Sequence, residues 1–284
     1  MTIERIGVIG AGQMGAGIAQ VAAQAGLNTI VTDVSDERLE VGRKAVESSL
    51  NRLVSKQKLT AEEMSAALER LTWSTRVEDH GDRHIVIEAV PENEELKCNI
   101  LKSVEGAVSP EALIASNTSS ISITRLGSVL AGPERFIGMH FMNPVPIMEL
   151  VEVIRGAATS DATCEDTIAL AEQLGKQTTI AHDYPGFISN RILMPMINEA
   201  FFALMEGVGT AEDIDRTMML GMRHPIGPLA LADLIGLDTC LSIMEILHSQ
   251  LGDSKYRPCP LLRRHVAANW FGRKSGRGVF QYGE

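Results

Sequence analysis

Apolar and polar positions alternate in two regimes along this chain. Residues 4–9 read as a buried strand, and an alanine-rich helical pattern follows over about 13–25. "NTIVTD", residues 28–33, reads as a second strand. Two helices are expected next, about 36–57 and 60–70. The second opens on Thr60 with Glu63 three residues later, the spacing of a capping box. Further strands are expected near 84–90, 112–116 and 135–140, with helical segments between them. This alternation predicts a parallel sheet with crossover helices. A last short strand carries Leu150, Glu152 and Ile154 on one face, because side chains alternate along a strand.

After "AHDYPGF", residues 181–187, the pattern is helical only: about 187–206, 210–220, 228–250 and 260–271. The predicted architecture is therefore an α/β domain, residues 1–184, followed by an all-α domain, residues 185–284. The first C-terminal helix, "FISNRILMPMINEAFFALMEG", is apolar around most of its circumference and must be buried on several sides. About 100 residues can scarcely do this alone, so a homodimer interface is expected there.

The chain has 284 residues, 45% hydrophobic and 22% charged, the composition of a globular protein. No apolar run reaches the roughly 18–20 residues that span a bilayer, so no membrane partner is expected. The N-terminus lacks the layout of a signal peptide. Cys98, Cys164, Cys240 and Cys259 are scattered, which suits reduced thiols and a cytoplasmic location. The histidines show no metal-ligand spacing, so no metal is expected. A formal net charge of −10 argues against nucleic-acid binding, which needs clustered Lys and Arg. Residues 42–58 run against this balance: Arg43, Lys44, Arg52, Lys56 and Lys58 face one Glu47, a net +4. That segment is either the site of a small anion or a solvated helix face.

"IGVIGAGQMGAGIAQ" sets Gly10, Gly12 and Gly15 in the spacing GxGxxG, between an apolar strand and a helix. Gly10 permits the tight turn. Gly12 lets a pyrophosphate approach the backbone in front of the helix N-terminus, and Gly15 allows close packing of helix on strand. Gln13 and Met14 lie inside the same loop. Asp33 ends the next strand, 18 residues past Gly15. Its carboxylate can accept from ribose hydroxyls and would repel a 2′-phosphate, which favours NAD over NADP. "IEAVPENEELK", with a helix opening near Glu92, and "ASNTSSISI" both run from a strand end into a helix, at the sheet edge where open α/β folds bind ligands. In "IGMHFMNPVPIMELVE", His140 stands before two prolines, and Glu152 follows on the apolar face of the last strand. An unpaired carboxylate there would be costly, which raises His140 as its partner.

Together with "SNTSSISIT", "DYPGFISNRI", "HPIGPLALADLIGLDT" and "GRKSGRGVFQY", these motifs make the chain resemble the 3-hydroxyacyl-CoA dehydrogenases over nearly its full length. The resemblance implies a Rossmann-type domain carrying a helical hairpin insertion. It implies NAD-dependent, reversible oxidation of a short (S)-3-hydroxyacyl-CoA. His140 matches the family's catalytic histidine and Glu152 its partner. Ser119 and Asn190 match residues at the reacting oxygen, and so count as both catalytic and substrate-binding. Glu92, Lys97, Asn117, Asn143 and Lys274 match cofactor contacts. Ser49 and Lys56 match positions that hold the CoA portion. Ser49, Arg52 and Lys56 share one helix face by spacing, and a short basic face suits the phosphates of CoA. Arg223, in "MRHPIGP", departs from the small polar residue expected in this family. Two other readings remain open: a β-hydroxyacid dehydrogenase acting on a substrate without CoA, and an NAD-binding redox sensor. The intact set of His140, Glu152, Ser119 and Asn190 speaks against the sensor.

Overall fold

The computed structural model describes residues 2–283. The chain divides into two compact units between Tyr184 and Pro185. The first alternates strand and helix: β1 (Arg5–Ile9), α1 (Gln13–Gln24), β2 (Asn28–Thr32), α2 (Asp36–Ser55), α3 (Ala61–Glu69), β3 (Leu71–Ser74), β4 (Ile85–Glu88), α4 (Glu94–Ala107), β5 (Leu113–Ser116), α5 (Ile123–Gly127), β6 (Phe136–Phe141), β7 (Leu150–Arg155), α6 (Asp161–Gln173) and β8 (Gln177–His182). They build one eight-stranded sheet in the order β3-β2-β1-β4-β5-β6-β7-β8. β4 and β5 are buried at every position, so both faces of the sheet are covered there.

Two features of the sheet depart from the sequence expectation. The sheet is not wholly parallel, because β7 runs antiparallel to β6. Only residues 142–149 join them, and a parallel return needs roughly a dozen residues or more. The edge strands β3 and β8 were not expected. β8 buries one residue of six, and β3 none of its four, so neither carries the apolar signature of a central strand. The helical hairpin forms as the pattern predicts. Thr60 and Glu63 close a reciprocal capping box at the start of α3, and Val46, Leu50 and Ala67 pack the pair against Ala16 and Ala23 of α1.

The second unit is helical: α7 (Ser189–Met205), α8 (Ala211–Gly221), α9 (Pro228–Ile235), α10 (Leu237–Leu251) and α11 (Pro260–Ala267). The helix expected over 228–250 is two helices, broken at Gly236, whose φ of +107° no helix tolerates. The last helix stops at Ala267, four residues short of the expected end. Met194, Ile197 and Phe201 of α7 join Leu229, Leu237, Met244 and Leu262 in a separate core. Arg223 adopts φ +57° just past α8, where the His224 N–H reaches back to the Met218 carbonyl. That left-handed position favours Gly or Asn, which gives a backbone reason for a small polar residue there. Asp233 is buried and accepts from Val279 N, Phe280 N and the Tyr282 hydroxyl, fastening the C-terminal segment to α9. Burial, helped by that hydrogen bond, pushes the Tyr282 hydroxyl up to about 12. Among the described residues no helix is long and apolar enough to cross a membrane.

One buried titratable group lies behind the sheet. The His80 ring is fully buried, and its Nε2 is 2.6 Å from Thr32 Oγ1. It occupies the space that a side chain at Gly7 would need: a Cβ there would stand 2.2 Å from His80 Nδ1. Burial, with the Arg83 guanidinium adding to it, lowers its pKa to about 4. The unfolded chain, with an ordinary imidazole, therefore binds more protons between pH 6.5 and 4. Stability from His80 is complete above pH 6.5 and drains away as pH falls toward 4. Urea unfolding should show a loss of about 2 kcal/mol between pH 7 and pH 5 from this group. In His80→Gln that part of the pH slope should be missing; an unchanged slope would show that other groups carry it.

Candidate active site

The carboxyl ends of the parallel strands β1, β4, β5 and β6 meet at one edge of the sheet, and the loops leaving them build the site. The first is the glycine loop after β1. Gly10 has φ +104°, and a Cβ there would stand 2.7 Å from the Ala89 carbonyl. A Cβ on Gly15 would lie 1.8 Å from the Gly10 carbonyl, so only glycine lets α1 start this close to β1. Gly12, the N-cap of α1, differs: a Cβ there meets nothing within 4 Å. The first turn of α1 holds no acidic side chain, and its N-cap makes no side-chain hydrogen bond, so its N-terminal N–H groups suit an anion. Asp33 follows β2. Its carboxylate accepts from Ala11 N and Val34 N, each at 2.7 Å, which ties it to the glycine loop. A carboxylate has about four acceptor directions, so capacity remains for further hydroxyl donors.

The second loop follows β4, and it differs from the expected start of a helix at Glu92. Asn93 caps α4 by accepting from Leu96 N at 2.9 Å, which frees Glu92 to turn away. Glu92 Oε1 reaches the third loop, after β5, and accepts from Thr118 Oγ1 (2.6 Å), Ser119 N (3.0 Å), Ser120 N (3.1 Å) and Ser120 Oγ (2.9 Å). The Ser119 hydroxyl is 3.3 Å from the same oxygen. Burial would raise the Glu92 carboxyl. The Lys97 ammonium, 3.3 Å away, and these hydrogen bonds overcome it and hold the group below the usual carboxylate range. Lys97 is itself buried. Nζ donates to Glu88 Oε1 at 2.7 Å and to the Val90 carbonyl at 3.1 Å. Asn117 Oδ1 accepts from Phe141 N, fixing the end of β6 to the end of β5.

His140 and Glu152 are direct partners in the antiparallel register of β6 and β7. Opposed residues of such a pair project from the same face. His140 Nδ1 stands 2.8 Å from Glu152 Oε2, with Glu152 only 1% exposed. An ionised carboxylate only accepts, so Nδ1 carries the proton, and in the neutral ring Nε2 is left as the base. Lys176, also buried, donates to the Val145 and Met148 carbonyls and staples the connection between these strands. Burial holds its ammonium below the usual lysine range, with Glu149 opposing. Asn143, in the same connection, accepts from Gln13 Nε2 at 3.1 Å.

The first unit thus gathers the glycine loop with Gln13 and Met14, Asp33, Glu92, Asn117, Ser119, His140, Asn143 and Glu152 around one sheet edge. Asn190 and Lys274 belong to the helical unit. Asn190 is buried in the first turn of α7. Lys274 is paired with Asp238 at 2.6 Å. On α2, Ser49 is half-buried, whereas Arg52 and Lys56 are exposed, Lys56 as the C-cap residue. Arg43 and Lys44 lie against Glu40, at 4.0 and 3.4 Å. Sequence reading missed Glu88 and Lys176. Glu88 closes the otherwise apolar "IVIE", a sign comparable to the one that exposed Glu152. Lys176 follows a turn glycine and gives no sign of burial. Among the described residues no cluster of His, Cys, Asp or Glu is arranged to hold a metal ion.

With the site in view, comparison with known proteins places the chain. Residues 5–184 match the 3-hydroxyacyl-CoA dehydrogenase NAD binding domain, and residues 186–282 match the C-terminal domain of the same enzymes. The chain belongs to the 3-hydroxyacyl-CoA dehydrogenase family. It is 55% identical over 280 residues to the 3-hydroxybutyryl-CoA dehydrogenase of Bradyrhizobium diazoefficiens, covering 99% of this chain and 96% of that one. The crystal structure of (S)-3-hydroxybutyryl-CoA dehydrogenase from Ralstonia eutropha superposes with a TM-score of 0.97 at 53% identity, covering 100% of both chains. That of Mycobacterium tuberculosis FadB2 gives 0.98 at 41%, again over 100% of both chains.

The first unit of this 3-hydroxyacyl-CoA dehydrogenase fits NAD. The open space at Gly12, the uncapped α1 N-terminus and the spare acceptors of Asp33 suit a pyrophosphate and a ribose without a 2′-phosphate. The glycines can be told apart by experiment. Gly12→Ala should leave the thermal midpoint within about two degrees of wild type, because the added methyl meets no protein atom, yet weaken NADH binding at least about tenfold. Gly15→Ala should lower stability by several kcal/mol, through overpacking against the Gly10 carbonyl. Calorimetry with NADH fluorescence titration checks both, and equal loss of stability would refute the distinction.

Proposed function

We propose that the protein is an NAD-dependent (S)-3-hydroxybutyryl-CoA dehydrogenase, interconverting that substrate with acetoacetyl-CoA. The buried pair of His140 Nδ1 and Glu152 Oε2 at 2.8 Å carries this reading. Oxidation of a secondary alcohol releases a proton and a hydride, and bound NAD supplies the hydride acceptor. His140 Nε2 takes the hydroxyl proton. Glu152 holds the ring in the required tautomer and stabilises the imidazolium that forms, as the acidic member of a catalytic triad does. In the reverse direction His140 returns the proton to the 3-keto oxygen, while Ser119 and Asn190 orient that oxygen. The expected cofactor contacts Asp33, Glu92, Lys97, Asn117, Asn143 and Lys274 keep that role, together with the glycine loop. Ser49 and Lys56 hold the CoA portion.

The CoA reading is supported by α2. Arg52, Lys56 and Lys58 are exposed and have no ion-pair partner among the described residues. A dehydrogenase whose substrate lacks CoA would have no use for this face. A homodimer through the helical unit completes the proposal. Ile192 (66% exposed) on α7, and Leu220 (76%) and Met222 (62%) at the end of α8, are the apolar side chains it would cover. Sedimentation as a monomer at micromolar concentration would refute that part.

The activity is tested by steady-state reduction of acetoacetyl-CoA and longer 3-ketoacyl-CoAs with NADH and with NADPH. His140→Ala should lower kcat by about 10³-fold or more with NADH binding nearly intact. Glu152→Gln should lower kcat and shift the pH–rate profile; a profile unchanged in height and shape would remove Glu152 from the mechanism.

Lys56→Ala should raise KM for acetoacetyl-CoA about fivefold with little change in kcat, as for an exposed contact of about 1 kcal/mol made equally in ground and transition states. The effect should shrink with added salt and vanish for an acetoacetyl thioester of a short thiol. Equal weakening of both substrates would return α2 to a solvated helix.

A further inference from the structure

The motif "DYPGFISNRI" supplies Asn190 to the proposed mechanism, and its first residue has a use that no step above assigns. Asp183 follows β8, directly after His182, and is the penultimate residue of the first unit. Its carboxylate gathers three donors from the start of α5. One oxygen accepts from Ile123 N at 2.9 Å, and the other from the Ser122 hydroxyl and Thr124 N, each at 2.7 Å. Ser122 is the N-cap of α5, and its hydroxyl also accepts from Arg125 N at 3.1 Å. Ile123 is seated on the sheet: a side chain at Gly138 would meet Ile123 Cδ1 at 2.9 Å, and one at Gly156 would meet its Cγ2 at 3.1 Å. Gly138 lies two residues before His140 on β6 and pairs with Ile154, two residues past Glu152 on β7. Side chains alternate along a strand, so α5 begins on the face that carries His140 and Glu152.

The serine loop is thereby held at both ends. Glu92 grips Thr118, Ser119 and Ser120 from one side, and Asp183 grips residues 122–124 from the other. Ile121, between them, is fixed as well, because its N–H donates to Thr118 Oγ1 at 3.0 Å. We infer that Asp183 is a positioning residue that acts through Ser119: by fixing where α5 begins, it fixes the far end of the loop whose hydroxyl orients the reacting oxygen. The inference rests on the function proposed above. With five residues, α5 is too short to hold its own position by helix propensity. Hydrogen bonds to a carboxylate are the stronger kind, so the clamp decides where the loop ends.

Asp183→Asn keeps the shape of the side chain and removes one acceptor oxygen. It should lower kcat/KM for acetoacetyl-CoA reduction at least about tenfold, with the dissociation constant of NADH within about twofold of wild type. A double-mutant cycle identifies the route. In a Ser119→Ala background, where the hydroxyl is already gone, Asp183→Asn should cost less than about threefold. Should Asp183→Asn not fold, Ser122→Ala removes a single donor and should show the same dependence on Ser119 with a smaller loss, about threefold. Amide hydrogen exchange reads the clamp without turnover: Asp183→Asn should speed exchange of the Ser119, Ser120 and Ile121 amides at least about tenfold. That measurement stands even if acetoacetyl-CoA is not reduced, an outcome that would sink the proposed function alone. An equal loss of kcat/KM with and without the Ser119 hydroxyl would make Asp183 merely structural. Faster exchange confined to Ile123 and Thr124 would show that its hold stops at α5. An NADH complex weakened about tenfold with kcat unchanged would place its effect on the cofactor instead. Any of these three results overturns the inference.

Discussion

The antiparallel register of β6 and β7 is the constraint on which the chemistry depends. One hydrogen-bonded pairing puts His140 opposite Glu152, and the pleat turns both side chains to the same face. A slip of one residue would send one of the two to the other side of the sheet. What prevents the slip is the treatment of the eight-residue connection, residues 142–149. Lys176 grips two of its carbonyls from below, while Val145 packs where Gly17 leaves room on α1. Asn117 locks the adjacent end of β6 through Phe141 N. The catalytic geometry is therefore a product of sheet pairing, and the loop carries the burden of keeping that pairing in register.

The remaining elements of the site are arranged by the same economy of short loops at one sheet edge. Each loop is anchored by a side chain from a neighbouring loop: Ala11 by Asp33, the serine loop by Glu92, and the β6–β7 connection by Gln13 through Asn143. These contacts cross from strand to strand. Exchange of one loop sequence thus disturbs the next, and a rigid edge is obtained without a rigid backbone.

Much of this was legible in the sequence because it is enforced by local rules. The glycine spacing reports backbone proximity, the capping box reports a helix start, and Glu152 reports itself by standing among Leu150 and Ile154. The parts that escaped are those set by tertiary context. β3 and β8 are edge strands with little to bury. The break at Gly236 needs a left-handed residue inside an otherwise unbroken helical pattern. Glu92 read as the start of a helix because Glu is common in first turns; only the fold shows that Asn93 takes the cap and leaves Glu92 free to cross to the next loop. Lys97 matches a ligand contact by motif, and only the fold shows that its ammonium also pairs with the buried Glu88.

The Asp233 clasp has a consequence for handling the protein. Its carboxylate relies on the backbone of Val279 and Phe280 and the hydroxyl of Tyr282 for its hydrogen bonds, and a side chain at Gly278 would strike it at 1.9 Å. Trimming the chain before Gly278 would remove all three of these donors from a side chain that is only 1% exposed. The closing segment, whose Val279 and Phe280 pack against the helical core, is in effect one of its walls, and affinity tags belong at its far end rather than in its place.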